Sequence, residues 1–230
     1  MSRFAQRSKE LELMDLPIED DQAIFQNFDE LVFINARLGG SNHSLAAIEA
    51  VTRGMPRPTI VDVGFGAGDF LDEARTRWPE ADLVGVDLMP QALTYATRRY
   101  PSLASEVDLR CESYQDWMKR GPSVDVVHAA LFCHHLDHDS LVDFLRQAAQ
   151  HARVAVVIND LQRHWFAYHA IKRLTRWFAR SRYTQHDAPL SVLRGFTRRE
   201  WEAILDQAGL PNHRIQWKWA FRHVITIMPS

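Results

Sequence analysis

Thr59-Ile-Val-Asp-Val-Gly-Phe-Gly-Ala-Gly-Asp69 is the stretch on which the reading of this chain turns. Apolar and β-branched residues surround Asp62, glycines follow at Gly64, Gly66 and Gly68, and Phe70-Leu71-Asp72-Glu73-Ala74 continues beyond them. An apolar run, a glycine-rich turn and a helix-forming segment predict a strand, a tight loop and a helix. Glycines let the backbone approach a ligand closely, and the N–H groups opening the next helix attract negative charge. A nucleotide-like ligand is therefore expected. A dinucleotide fingerprint needs its third glycine at position 69, where Asp69 stands. The observed spacing, with an acid at Asp62, suits a smaller ligand with a cationic group, because a carboxylate attracts such a group and repels phosphates. A second apolar run, Leu83-Val-Gly-Val-Asp87, ends in an acid about 20 residues past the loop, the reach of a carboxylate that grips ribose hydroxyls.

Working outward, strand-like and helix-like segments alternate after the loop. Strands are expected at 82–87, 107–111, 124–131 and 153–158, with helices at 90–99, 113–119 and 138–150. Such alternation makes a parallel sheet with helices on both faces, whose ligands gather at the carboxyl ends of the strands. Asp62, Asp87, Glu112, the 131–135 segment and Asn159-Asp160 all fall at those ends.

Upstream, apolar residues recur at helical spacing between Glu12 and Leu38, Gly39-Gly40 ends that helix, and Ser41-Asn42 caps the next. Residues 1–54 thus form an N-terminal helical cap on a single domain spanning 1–230. Downstream, residues 161–195 read as an inserted lid. Its first part, 161–186, holds no acid but carries Arg163, Lys172, Arg173, Arg176, Arg180 and Arg182 among Trp165, Phe166, Tyr168, Trp177 and Phe178. Ala167, Ile171, Leu174 and Phe178 share one helical face. A packed helix with a solvated basic side, a lid over an aromatic or acidic substrate, and a membrane-surface helix all fit this pattern. Thr197-Arg-Arg-Glu200 is a capping box opening a helix that ends at Gly209. Residues 214–219 and 222–228 alternate as an antiparallel hairpin around Ala220-Phe221.

Composition narrows the class. With 230 residues, 46% hydrophobic and 24% charged, the chain can bury a full core. A net charge of −2 gives no reason to expect nucleic acid. Cys111 and Cys133 sit in apolar settings and read as reduced core thiols. No leader-like or bilayer-spanning apolar run occurs, so the expected location is the cytoplasm.

Asp62-Val-Gly-Phe-Gly-Ala-Gly68 together with Gly85-Val-Asp87 resembles the S-adenosylmethionine site of class I methyltransferases, and the similarity runs over nearly the whole chain. The resemblance implies a Rossmann-like, seven-stranded, mostly parallel sheet completed by the C-terminal hairpin. It implies that Gly64, Gly66 and Gly68 give backbone access to the methionine portion of the donor and that Asp62 attracts its ammonium. Asp87, with Leu88 beside it, would accept the ribose hydroxyls. Glu112 and Ser113 would approach the adenine, and Leu131 and Phe132 would flank the adenosine; Cys111-Glu112-Ser113 departs from the more usual Gly-Asp-Ala. Four further patterns resemble bacterial methyltransferases found beside type III polyketide synthases: Glu12-Leu-Met-Asp-Leu-Pro17, Ile34-Asn-Ala-Arg-Leu-Gly-Gly40, Val157-Ile-Asn-Asp-Leu161 and Asp187-Ala-Pro-Leu-Ser191. Ala188 stands where glycine is usual. That subgroup implies a phenolic, quinone-like or polyketide acceptor, methylated on oxygen.

A phenol with a pKa near 10 suits histidine as its base, and His134 and His135 follow the fourth strand, with His135 the preferred candidate. Asp160, Trp165 and Tyr168 are the expected acceptor contacts. No metal is expected, because no cysteine or acid completes a ligand spacing around His134, His135 and His138. Two alternatives stand beside this reading. A methyltransferase acting on RNA or protein has the basic 163–182 stretch in its favour, although the Asn/Asp-Pro-Pro-Tyr and Pro-Cys signatures of such enzymes are absent. The other is a subunit that binds the donor without transferring its methyl group. Oligomeric state is left open.

Overall fold

The computed structural model describes residues 3–229. Seven strands form one sheet in the order β3-β2-β1-β4-β5-β7-β6. β1 (Thr59–Val63), β2 (Asp82–Asp87), β3 (Asp108–Cys111), β4 (Val124–Ala130) and β5 (Ala152–Leu161) run parallel, while β6 (His213–Lys218) and β7 (Arg222–Ile227) form the antiparallel edge. Strand order reverses at β1, between β2 and β4, which puts the cleft over the carboxyl end of β1. β1 and β4 are buried almost throughout, as expected of strands covered on both faces.

Helices connect the strands and cover both faces. On the amino-terminal side lie α1 (Asp21–Arg37) and α2 (Gly40–Val51), and between strands run α3 (Asp69–Arg77), α4 (Pro90–Arg99), α5 (Leu103–Glu106), α6 (Tyr114–Arg120) and α7 (His138–His151). α8 (Trp165–Phe178) and α9 (Arg182–Arg194) form the insertion after β5, and α10 (Arg198–Ala208) precedes the hairpin. Thr197 and Glu200 close the expected capping box, and Gly209 ends α10 in the left-handed conformation.

Three local expectations shift. A short 3-10 turn at Leu13–Asp15 is separate from α1, because Pro17 interrupts the apolar spacing. Gly39, at φ +70°, is the N-cap of α2, so Ser41-Asn42 lies inside that helix and does not cap it. β5 runs on to Leu161, since β7 pairs with Asn159, Asp160 and Leu161. Cys133 is buried, whereas Cys111, on the edge strand β3, is exposed. Among the described residues no helix is long and apolar enough to cross a membrane.

Candidate active site

A cavity of about 1030 Å³ opens over the carboxyl ends of β1, β2, β4 and β5, and it is bounded by α1, the 3-10 turn, α8 and the hairpin turn. On one side lies the glycine loop. Gly64, Gly66 and Gly68 all have positive φ, at +72°, +52° and +82°. A Cβ on Gly64 would lie 2.6 Å from Phe132 Cδ2, so glycine there lets the Phe132 ring close against the loop. Gly68 is the N-cap of α3 and does not line the cavity; its part is to turn the chain into the helix.

Asp87 ties the loop to β2. Gly66 N–H donates to Asp87 Oδ2 at 2.9 Å, and Met89 N–H donates to Oδ1 at 2.8 Å. Each carboxylate oxygen keeps a further lone pair, so the group can still accept from a pair of hydroxyls. Burial pushes its carboxyl above the usual range against the pull of those two N–H groups.

Asp62 lines the cavity with one oxygen already engaged, since His128 Nδ1 lies 2.7 Å from Oδ1. Register makes that pairing possible, because Asp62 on β1 stands opposite His128 on β4. Glu112 and Ser113 also line the cavity, but each has a local partner: Arg120 pairs with Glu112, and Ser113 Oγ caps α6 by accepting from Asp116 N–H at 3.1 Å. Leu88, Leu131 and Phe132 complete this side. Asp69, at the start of α3, also faces the cavity, and burial pushes its carboxyl up to about 6.

Across the cavity stand the two histidines. His134 Nδ1 is 2.7 Å from Asp160 Oδ1, and its backbone N–H donates to Asp160 Oδ2 at 3.1 Å. His135 Nδ1 is 2.7 Å from Asp15 Oδ1. A carboxylate at Nδ1 favours the tautomer protonated there and leaves Nε2 with a lone pair. Both Nε2 atoms turn toward Glu12, at 3.7 Å for His134 and 4.0 Å for His135. The His134 side chain is 2% exposed and that of His135 is 21%, so His135 is the ring more open to a second reactant.

Glu12 and Asp15 come from the other end of the chain, held by groups on α9. Asp187 accepts from Leu13 N–H at 2.7 Å and from Met14 N–H at 3.1 Å. Arg194 donates to the carbonyls of His134 (3.0 Å), His135 (2.9 Å) and Glu10 (2.9 Å), and to Asp15 Oδ2 (2.9 Å). One buried guanidinium thus locks the amino-terminal strap onto the histidine turn. Burial pushes the Glu12 carboxyl up to about 7, opposed by His135 and Arg194.

The expected acceptor contacts need correction. Asp160 is fully buried and turned to His134, so it orients that ring and does not line the cavity. Tyr168 is buried in a small satellite core with Leu190, Val192 and Leu193, and its hydroxyl accepts from Arg3 Nη1 at 2.8 Å. Trp165 is exposed and lies outside the cavity lining. The helix supplies the reason: Phe166, Ala167, Ala170, Ile171 and Leu174 share the arc of α8 that faces the cavity, whereas positions 165 and 168 point to either side of it. Expecting no metal rested on the lack of a nearby acid, but the fold brings in Glu12. Glu12, His134 and His135 hold ligand-type atoms within 4.8 Å of one another. Glu12, Asp15 and Asp187 belong to sequence patterns already noted, whereas nothing in the sequence marks Arg194.

Residues 60–155 match the model of a methyltransferase domain family. A search of curated proteins finds no significant sequence match. Among solved structures, the plantazolicin methyltransferase BpumL in complex with S-adenosylhomocysteine is similar at TM-score 0.67 and 16% identity, covering 92% of this chain and 91% of that one. A candidate O-methyltransferase from Nostoc punctiforme PCC 73102 is similar at TM-score 0.63 and 18% identity, covering 97% of this chain and 64% of the other. An O-methyltransferase family 2 protein from Planctomyces limnophilus DSM 3776, in complex with apigenin, is similar at TM-score 0.53 and 16% identity over 75% of this chain and 51% of that one. At such identities the likeness is one of fold. A methyltransferase-domain match set within that fold supports the reading of the chain as an S-adenosylmethionine-dependent methyltransferase.

Proposed function

We propose that the protein transfers the methyl group of S-adenosylmethionine to the oxygen of a small phenolic, quinone-like or polyketide acceptor, releasing S-adenosylhomocysteine. The acceptor's O–H gives its proton to His135 Nε2, the oxygen attacks the methyl carbon, and the carbon–sulfur bond breaks as the sulfonium becomes a neutral thioether. The observation that carries this reading is the carboxylate-locked pair of imidazoles facing the same cavity as the glycine loop. Asp160 and Asp15 fix the rings, so little reorganisation is needed when the proton moves. Gly64, Gly66, Asp62 and Asp87 hold the donor, with Glu112, Ser113, Leu88, Leu131 and Phe132 around its adenosine. Phe166, Ile171 and Leu174 give the acceptor an apolar wall. The apigenin bound to one structurally similar O-methyltransferase family 2 protein supports an aromatic acceptor.

A lipid-tailed acceptor drawn from a membrane surface is part of the same proposal. At about 100° per residue, α8 divides into three sectors. One, with Tyr168 and Thr175, is buried; one holds Phe166, Leu174, Trp177 and Phe178, all exposed; and the third holds His169, Lys172, Arg173 and Arg176. An exposed apolar arc beside a basic one suits the boundary between acyl chains and anionic headgroups. The test is transfer of labelled methyl from the donor across a panel of neutral and lipid-tailed phenols. Labelled ether would support the reading. Donor binding without turnover on any acceptor would favour a non-catalytic subunit, and transfer to RNA or protein instead would assign the basic sector to a macromolecule.

A further inference from the structure

Beside the hairpin turn the cavity wall carries a buried cation for which the methyl-transfer chemistry has no task. Arg222 opens β7, is 3% exposed and lines the cavity. Its Nη2 donates to Asn35 Oδ1 at 2.9 Å, and its buried Nε has no hydrogen-bond partner among the described residues. The other buried arginines of this region are furnished differently. Arg163 meets Glu200 at 2.7 Å and Arg194 meets Asp15 at 2.9 Å. Arg222 has no carboxylate at ion-pair distance among the described residues. Asp160 and Asp69 act on it only at longer range, and Asp160 is already taken by His134. Burial pushes the guanidinium down to about 10, the direction expected of a charge without its counter-ion.

The backbone that positions this residue is itself strained. Ala220 and Phe221, neither of them glycine, both have positive φ, at +64° and +56°. The Phe221 ring stacks on His164 at 4.6 Å and meets Phe166 at 5.9 Å, which anchors the turn to α8. Left-handed residues next to an unpaired buried charge at the cavity wall suggest a site whose complement is a ligand, since an isolated buried charge is costly.

We propose that Arg222 receives a carboxylate of the acceptor, so that the substrates are aromatic hydroxy acids with a hydroxyl for His135 and an acid group for the guanidinium. This rests on the O-methylation reading and narrows its substrate class. Arginine suits the task, because its planar fork can donate twice to one carboxylate. The donor's own amino acid portion also ends in a carboxylate, and the test separates the two sources.

Calorimetry on the protein loaded with S-adenosylhomocysteine would compare salicylate with phenol, and hydroxynaphthoate with naphthol. The expected result is tighter binding of the acids. Arg222→Gln should weaken the acids about ten- to hundredfold and leave the neutral probes unchanged. Arg222→Lys should keep part of the preference, and affinity for S-adenosylhomocysteine should stay the same in both variants, which also shows that they fold. Equal binding of acid and neutral probes to the wild type would overturn the proposal. So would an Arg222→Gln variant that loses S-adenosylhomocysteine affinity while its preference for acids is unchanged, because the guanidinium would then serve the donor. Should Arg222→Gln fail to fold, the same comparisons apply to Arg222→Lys. Because binding is read without turnover, failure of methyl transfer and failure of carboxylate recognition are seen apart.

Discussion

The two sides of the cavity are built in opposite ways. The side proposed to hold the donor is local: Gly64, Gly66 and Asp87 lie within one β-loop-α-β unit, and the Gly66–Asp87 hydrogen bond spans 21 residues. The side proposed to take the acceptor is assembled from distant parts of the chain. Asp15 reaches His135 across 120 residues, and Arg194 reaches Asp15 across 179. A local unit can be set by strand register and glycine conformation, whereas the distant one depends on every intervening element packing correctly. On the proposed function, the donor side is a fixed cradle and the acceptor side a clamp closed by a few buried charges.

This contrast can be broken by experiment. The largest effect is expected at His135. Replacing it with glutamine should lower kcat about 10²- to 10⁴-fold while S-adenosylhomocysteine affinity, measured by calorimetry, stays the same. A matching loss of affinity would mean that the two sides are not separate.

Next comes Glu12, the carboxyl buried in the clamp. Its folded pKa of about 7 lies above its ordinary 4.5, so its proton is held more tightly in the folded chain. That contribution to stability is complete below pH 4.5 and is lost as pH rises through about 7. Glu12→Gln keeps a neutral group at every pH. Denaturation midpoints should thus shift in favour of the variant between pH 5 and pH 8, by about 2–3 kcal/mol at most. A constant difference across that range would show that the carboxylate is fully paired.

Asp87→Ala should weaken S-adenosylhomocysteine binding by about 1.5–3 kcal/mol, with the acceptor probes unaffected. Unchanged affinity in calorimetry would remove Asp87 from the cradle. The smallest effect is expected from a chelator. Transfer rates should not change, because the proposed base is imidazole; a loss restored by one divalent ion would turn Glu12, His134 and His135 into a metal centre.

Legibility followed the same division. Between Thr59 and His151 the expected strands and helices needed only period and punctuation, and the edges of β2 and α4 fall where the spacing puts them, whereas the short α5 was not foreseen. Where partners lay far apart the pattern ran out. Trp165 and Tyr168 are as aromatic as Phe166, but only the angular position of Phe166 on a docked helix turns it to the cavity. Asp160 ends an apolar strand as a binding acid would, yet β7 extends that strand past it and His134 claims its carboxylate.

What the sequence determined by itself was the sheet, the glycine loop and the acid at the end of β2, because these follow from residue types a few positions apart acting through backbone geometry. The tertiary structure alone decided that Glu12 and Asp15 meet the histidines, that Arg194 clamps them, and that Arg222 is buried without a carboxylate. Those outcomes depend on which charges share a low-dielectric space, and the order of residues along a chain does not specify it.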